Sequence, residues 1–108
     1  MRVEYTFDEA KIEELGYTKG RVYNTLYKEY KRRGFKCTRA DDVLAFDSPD
    51  LETDLSNIFI VRRILANTDW FLETATAFLV YDGEFDTEPE DFLVNIGRLK
   101  NKPRVKEL

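Results

Sequence analysis

The apolar residues of this chain change their period four times in about eighty residues, which excludes an all-helical bundle and an all-strand sandwich alike. Val3, Tyr5 and Phe7 alternate with Glu4 and Thr6, the period-two mark of a strand with one buried face, and Asp8 closes it. Asp8 to Gly16 reads as a polar connection with room for one short helical turn. From about Lys19 to Arg33 the period becomes helical. Val22, Tyr23, Leu26, Tyr27 and Tyr30 fall within a ~140° stripe, with Lys28, Lys31 and Arg32 opposite and Gly34 as the stop. Phe35–Thr38 and Val43–Phe46 are short strands around a four-residue loop, Arg39-Ala40-Asp41-Asp42, of ordinary hairpin length.

Asp47-Ser48-Pro49 has the form of a helix start, with Asp47 or Ser48 as N-cap and proline in the first turn. Leu51, Leu55, Ile58 and Leu65 give this second long helix its main apolar face, and Ile60 and Ile64 point the other way. Such a helix needs cover on two sides. Trp70-Phe71 end it, Thr74–Tyr81 form a fourth strand, and Thr87-Glu88-Pro89-Glu90 reads as a capping box before a short helix with Phe92, Ile96 and Leu99. The order is β-α-β-β-α-β-α, an α+β chain of ferredoxin-like βαββαβ form with an extra C-terminal helix. Residues 1–100 are expected to form one domain and 101–108 a basic, disordered tail. Right-handed crossovers are expected to set the first and third strands side by side and parallel at the sheet centre.

Composition narrows the chemistry. The chain has no histidine, so serine-histidine and cysteine-histidine catalysis and His-ligated zinc are absent from it. Cys37 is its single cysteine, which excludes an intrachain disulfide and fits a reducing compartment. No apolar run reaches the ~20 residues of a membrane helix, and a cytoplasmic location is expected. The formal net charge is −4, unevenly distributed. Between Lys19 and Arg39 eight basic residues stand against Glu29 alone, whereas Asp69–Asp91 holds eight acids and no base. Solvated faces explain this as simply as a basic surface meeting nucleic-acid phosphates or an acidic partner does.

The expected topology directs attention to Asp8 and Asp47. Each follows a strand placed at the sheet centre, so both would emerge at one edge, where strands ~4.8 Å apart could bring two carboxylates to one Mg²⁺. Helix capping is the alternative role for both. Asp41 and Asp42 are ordinary turn residues, Lys36 and Arg39 are the hairpin's candidate phosphate contacts, and mid-strand Cys37 suits packing better than reactivity.

Short motifs in order, Phe7-Asp8, the Tyr23–Tyr30 helix, Arg33-Gly34-Phe35, Thr38, Trp70, Phe78, Tyr81 and Asp91-Phe92, resemble the virulence-associated protein D (VapD) family over roughly residues 3 to 95. The resemblance implies a ferredoxin-like homodimer, similar in fold to the small structural nuclease of CRISPR adaptation. It also implies toxin-type endoribonuclease activity with RNA and an antitoxin protein as partners, Asp8 as the catalytic or metal-associated carboxylate, and Mg²⁺ as cofactor. Two departures accompany it. The family's Thr-Gln-Gly-Ser is here Thr38-Arg39-Ala40-Asp41, which makes Asp41 a second catalytic candidate. The family's Arg-Asp before the last strand falls at about Thr76-Ala77, which carry no charge. Three functions are therefore expected to compete: metal-assisted RNA cleavage, a non-catalytic homodimeric interaction module on the same frame, and RNA binding without cleavage.

Overall fold

The computed structural model describes residues 1–82 and 88–96. Its elements in chain order are β1 (Arg2–Phe7), α1 (Glu9–Glu14), α2 (Lys19–Lys31), β2 (Lys36–Ala40), β3 (Leu44–Asp47), α3 (Asp54–Ala66), α4 (Asp69–Thr74), β4 (Ala75–Tyr81) and β5 (Glu90–Asp91). The five strands form one mixed-order sheet, β2-β3-β1-β4-β5, in which every adjacent pair is antiparallel.

The period-two pattern of β1 sets the two faces of the sheet. Val3 and Tyr5 turn inward with Leu44 and Phe46 of β3 and Phe78 and Val80 of β4, all nearly or fully buried. α2, α3 and α4 cover that face with Leu26, Tyr30, Ile58, Val61, Leu65 and Phe71, in one continuous core. The aromatic content is used here. Tyr5 lies at ring-contact distance from Tyr30, Phe71 and Phe78, and its hydroxyl shares a 2.6 Å hydrogen bond with that of Tyr30. Two buried hydroxyls thus satisfy each other inside an apolar centre. Burial pushes both phenols above their ordinary pKa. The opposite face carries a polar network: the Tyr81 hydroxyl donates to Glu4 Oε1 at 3.3 Å, while Arg2 reaches Glu4 at 2.9 Å and Asp47 at 3.5 Å.

The expected topology needs one correction with a large consequence. β1 and β3 are neighbours, as anticipated, but they run antiparallel, pairing Arg2 with Asp47 and Tyr5 with Leu44. The tight β2–β3 hairpin reverses the chain, and a crossover that leaves β2 parallel to β1 then forces β3 the other way. The residue after β1 and the last residue of β3 therefore lie at opposite ends of the sheet.

Two further expectations differ. Asp47-Ser48-Pro49 does not open a helix: Asp47 is still in β3, opposite Lys36 and Arg2, and α3 starts at Asp54 after a loop in which Asp50 has φ 60°. The segment from Glu90 is a strand followed by turns. The Phe92 N–H donates to the Phe78 carbonyl at 2.7 Å, and Asp91 Oδ1 accepts the N–H groups of Leu93 (2.9 Å) and Phe78 (3.3 Å). A side chain that takes backbone donors in this way competes directly with helix formation. Thr87, Leu99 and the 101–108 tail lie outside the described residues.

Candidate functional site at the hairpin edge

The reversal of β3 decides which candidates meet. The end of β1, the β2–β3 turn and the first turns of α2 share one edge of the sheet. Asp8 leaves β1 with its N–H donating to the Thr74 carbonyl at 2.8 Å, which fastens it beside the start of β4. Its Oδ1 accepts the Lys11 N–H at 3.1 Å, so Asp8 is the N-cap of α1. Thr18 caps α2 in the same way, through the Arg21 N–H.

Tyr23 joins this edge together. Its ring lies 6.0 Å from that of Phe7, the Lys19 ammonium stands 5.3 Å from its centroid, and its hydroxyl donates to the Asp41 carbonyl at 2.7 Å. Lys19 also pairs with Glu9 at 3.5 Å. Partial burial raises the Tyr23 pKa, and the negative charges of Glu9, Asp41 and Asp42 raise it further.

The turn itself is an internal clamp. Arg39 Nε donates to Asp41 Oδ1 at 2.7 Å and Arg39 Nη2 to Asp42 Oδ1 at 2.8 Å. Asp41 Oδ1 also accepts the Val43 N–H at 3.1 Å. That backbone donor, with Arg39 behind it, holds the Asp41 carboxyl down at about 2. The two carboxylates in turn raise the Arg39 guanidinium. A carboxylate held so low is ionised at neutral pH and a poor proton acceptor, and the guanidinium fork that would grip a phosphate already grips two aspartates.

The other candidates lie elsewhere. Asp47 is at the opposite edge, beside Arg2, and six residues of β1 separate it from Asp8, about 20 Å along an extended strand. The expected Asp8–Asp47 metal pair is therefore not formed. Lys36 faces Asp47 in register, at the far end of β2 from Arg39. Among the described residues no group of three or more His, Cys, Asp or Glu side chains is placed to hold a metal ion. The residues present do not fit a Mg²⁺ site built on Asp8 and Asp47. Cys37 is half-buried against the core, as expected of a packing residue.

Two features escaped the sequence reading. Tyr23 belongs to the apolar stripe of α2, but its hydroxyl reaches past the core to the turn; its place near the middle of the stripe hides that role. Glu29, the lone acid of a cationic run, is nearly buried with Oε1 between Arg32 (3.5 Å) and Arg33 (3.8 Å), and its isolation among bases was the available signal.

No family model, curated protein or solved structure matches the chain.

Proposed function

We propose that this chain is a non-catalytic interaction module on a VapD-like frame. One observation carries the reading: the carboxylates that would do chemistry at the hairpin edge are engaged in holding backbone. Asp8 caps α1, and Asp41 closes the turn under Arg39. The surface meanwhile exposes large apolar residues, Leu55, Phe59 and Ile60 on α3 among them. The ferredoxin-like identity of the frame belongs to this proposal, supported by the β2-β3-β1-β4 order and the helical crossovers between β1 and β2 and between β3 and β4. So does a homodimer, supported by Ile60, exposed on the outer side of α3. A cytoplasmic location is supported by the free thiol of Cys37 and by the absence, among the described residues, of any helix long and apolar enough to cross a membrane.

A second reading, endoribonucleolytic cleavage, is favoured by the placement of Asp8 and the Arg39–Asp41 turn at the same end of the sheet. Asp8 would orient water, and Arg39 would exchange its aspartates for a phosphate. An antitoxin would then be the protein partner. One experiment separates the two. Labelled RNA incubated in Mg²⁺ with wild type, Asp8→Ala and Arg39→Ala is expected to stay intact in all three, while Asp8→Ala loses about 1 kcal/mol of stability with its cap. Wild-type turnover that both substitutions abolish, with the circular dichroism spectra unchanged, would establish the nuclease instead.

A further inference from the structure

The α3 surface contains a groove whose chemistry selects a partner. It lies between α3 and the β4–β5 edge and has a volume of about 270 Å³. Its apolar lining comes from two sources. Val80 and Phe92 are each only 4% exposed, whereas Leu55 and Phe59, one turn apart on α3, are 41% and 46% exposed. Phe59 stacks on Phe92 at 5.2 Å, so the apolar surface is continuous from helix to strand edge.

The charged side chains of the lining are all acidic, and the ammonium at its border, that of Met1, is held by Ser48 Oγ at 2.9 Å and Asp50 at 3.7 Å. Asp82, Glu88 and Glu90 all border the groove and are exposed. Among the described residues no ion pair reaches any of the three. Arg62 on α3 is turned to backbone: it donates to the carbonyls of Phe92 (2.8 Å) and Val94 (3.0 Å) and lies over the Phe92 ring. Apolar surface beside three carboxylates of one sign asks for an occupant that offers the opposite charge next to an apolar side chain. The groove, about 270 Å³ and partly open, has room for one or two anchoring side chains.

We infer that this groove docks a basic segment of a partner protein, with a large apolar side chain seated between α3 and β4 and flanking Lys or Arg residues on Asp82, Glu88 and Glu90. The inference rests on the interaction-module reading and names its partner class. It is separate from the homodimer, because Ile60 lies about 100–140° around α3 from Phe59 and Leu55.

The test uses the full chain and two labelled synthetic peptides of equal length and equal Lys/Arg content. One carries Leu and Phe between the bases, the other Ser. The wild type is expected to bind the apolar peptide more tightly than the Ser peptide. Glu88→Lys/Glu90→Lys should weaken that binding at least about tenfold. Phe59→Ser should remove the preference between the peptides. Equal affinity of the wild type for both peptides overturns the inference, as does binding indifferent to both substitutions. The RNA assay is independent of this outcome. RNA turnover beside a working groove defeats the non-catalytic reading alone, and intact RNA beside a silent groove defeats only the groove.

Discussion

α2 and α3 are both 13 residues long and both lie on the same face of the sheet, but water completes only one of them. α2 buries Val22, Leu26 and Tyr30 and presents Lys28, Lys31 and Arg32 to solvent. Its cations face away from its core; the two exceptions to this division are answered locally, Glu29 by Arg32 and Arg33 and the half-exposed Tyr27 ring by the Lys31 ammonium 5.6 Å from its centroid. α3 buries Ile58, Val61 and Leu65 as thoroughly, yet exposes Leu55, Phe59 and Ile60, the last at 47%. Single exposed apolar residues are ordinary. Leu55 and Phe59 line the acidic groove together, and Ile60 stands about 100–140° away around the helix, so α3 exposes apolar side chains on two sides, which is the basis of the proposed interaction module. The proposed partner rests on the apolar residues that α3 exposes among the described residues; α2 supplies no such argument.

The largest expected effects test this comparison on the buried sides. Leu26→Ala in α2 and Leu65→Ala in α3 remove side chains that are both 0% exposed, and each should lower the unfolding free energy by about 2–5 kcal/mol in urea titrations. On the outer sides, Lys31→Ser and Ile60→Ser should each stay within about 0.5 kcal/mol. The two outer variants should differ in another measurement: Ile60→Ser should reduce self-association in sedimentation, and Lys31→Ser should not. A loss above about 1 kcal/mol from Ile60→Ser in dilute monomer would show that the fold itself covers the outer face, and the contrast between the helices would collapse.

The inner face of α2 can be sharpened through the Tyr5–Tyr30 pair. Burial raises both folded-state pKa values above that of an exposed tyrosine near 10. A raised folded pKa means that the stabilisation is complete below pH 10 and declines above it, because the unfolded chain ionises first. The decline should approach about 1.4 kcal/mol per pH unit for each tyrosine. Tyr5→Phe/Tyr30→Phe removes both hydroxyls together, so no partner is orphaned. The double variant should keep its stability at pH 7 to within about 1 kcal/mol while flattening the alkaline fall. An alkaline fall as steep as the wild type's would place its origin elsewhere.

What could be read beforehand follows the same physics. α2 was legible because its stripe, its cationic back and its terminal Gly34, with φ +84°, all agree. β1 was legible from three alternating residues. The start of α3 was not, since Asp47-Ser48-Pro49 satisfies the local chemistry of a cap, whereas pairing of Asp47 with Arg2 and Lys36 is a long-range fact. Glu90-Asp91 failed likewise: a capping-box pattern lost to backbone bonds with Phe78, thirteen or more residues earlier. The site suffered most. Asp8 and Asp41 are recognisable as strand-end and turn residues, but whether Asp47 joins them depends on strand direction alone. The Arg39 clamp depends on side-chain geometry that spacing does not encode.

The smallest expected effect bears most directly on function, because it asks whether the hairpin edge is as closed as α2 is. Asp41 titrates at about 2 in the fold, against an ordinary aspartate value near 3.9. A depressed folded pKa stabilises the hairpin above about pH 4, and the stabilisation disappears as pH falls through the folded value. Asp41→Asn retains an oxygen for the Val43 N–H but loses the charge that Arg39 holds. Its thermal midpoint should therefore change less than the wild type's between pH 5 and about pH 2.5, with the two curves converging at the acid end. The shift should be modest because the pair is exposed and salt-screened. Identical acid limbs would mean that Asp41 is not held by its turn. Arg39 would then be available for a phosphate and Asp41 for a proton, and the hairpin edge would open in the way the cleavage reading requires.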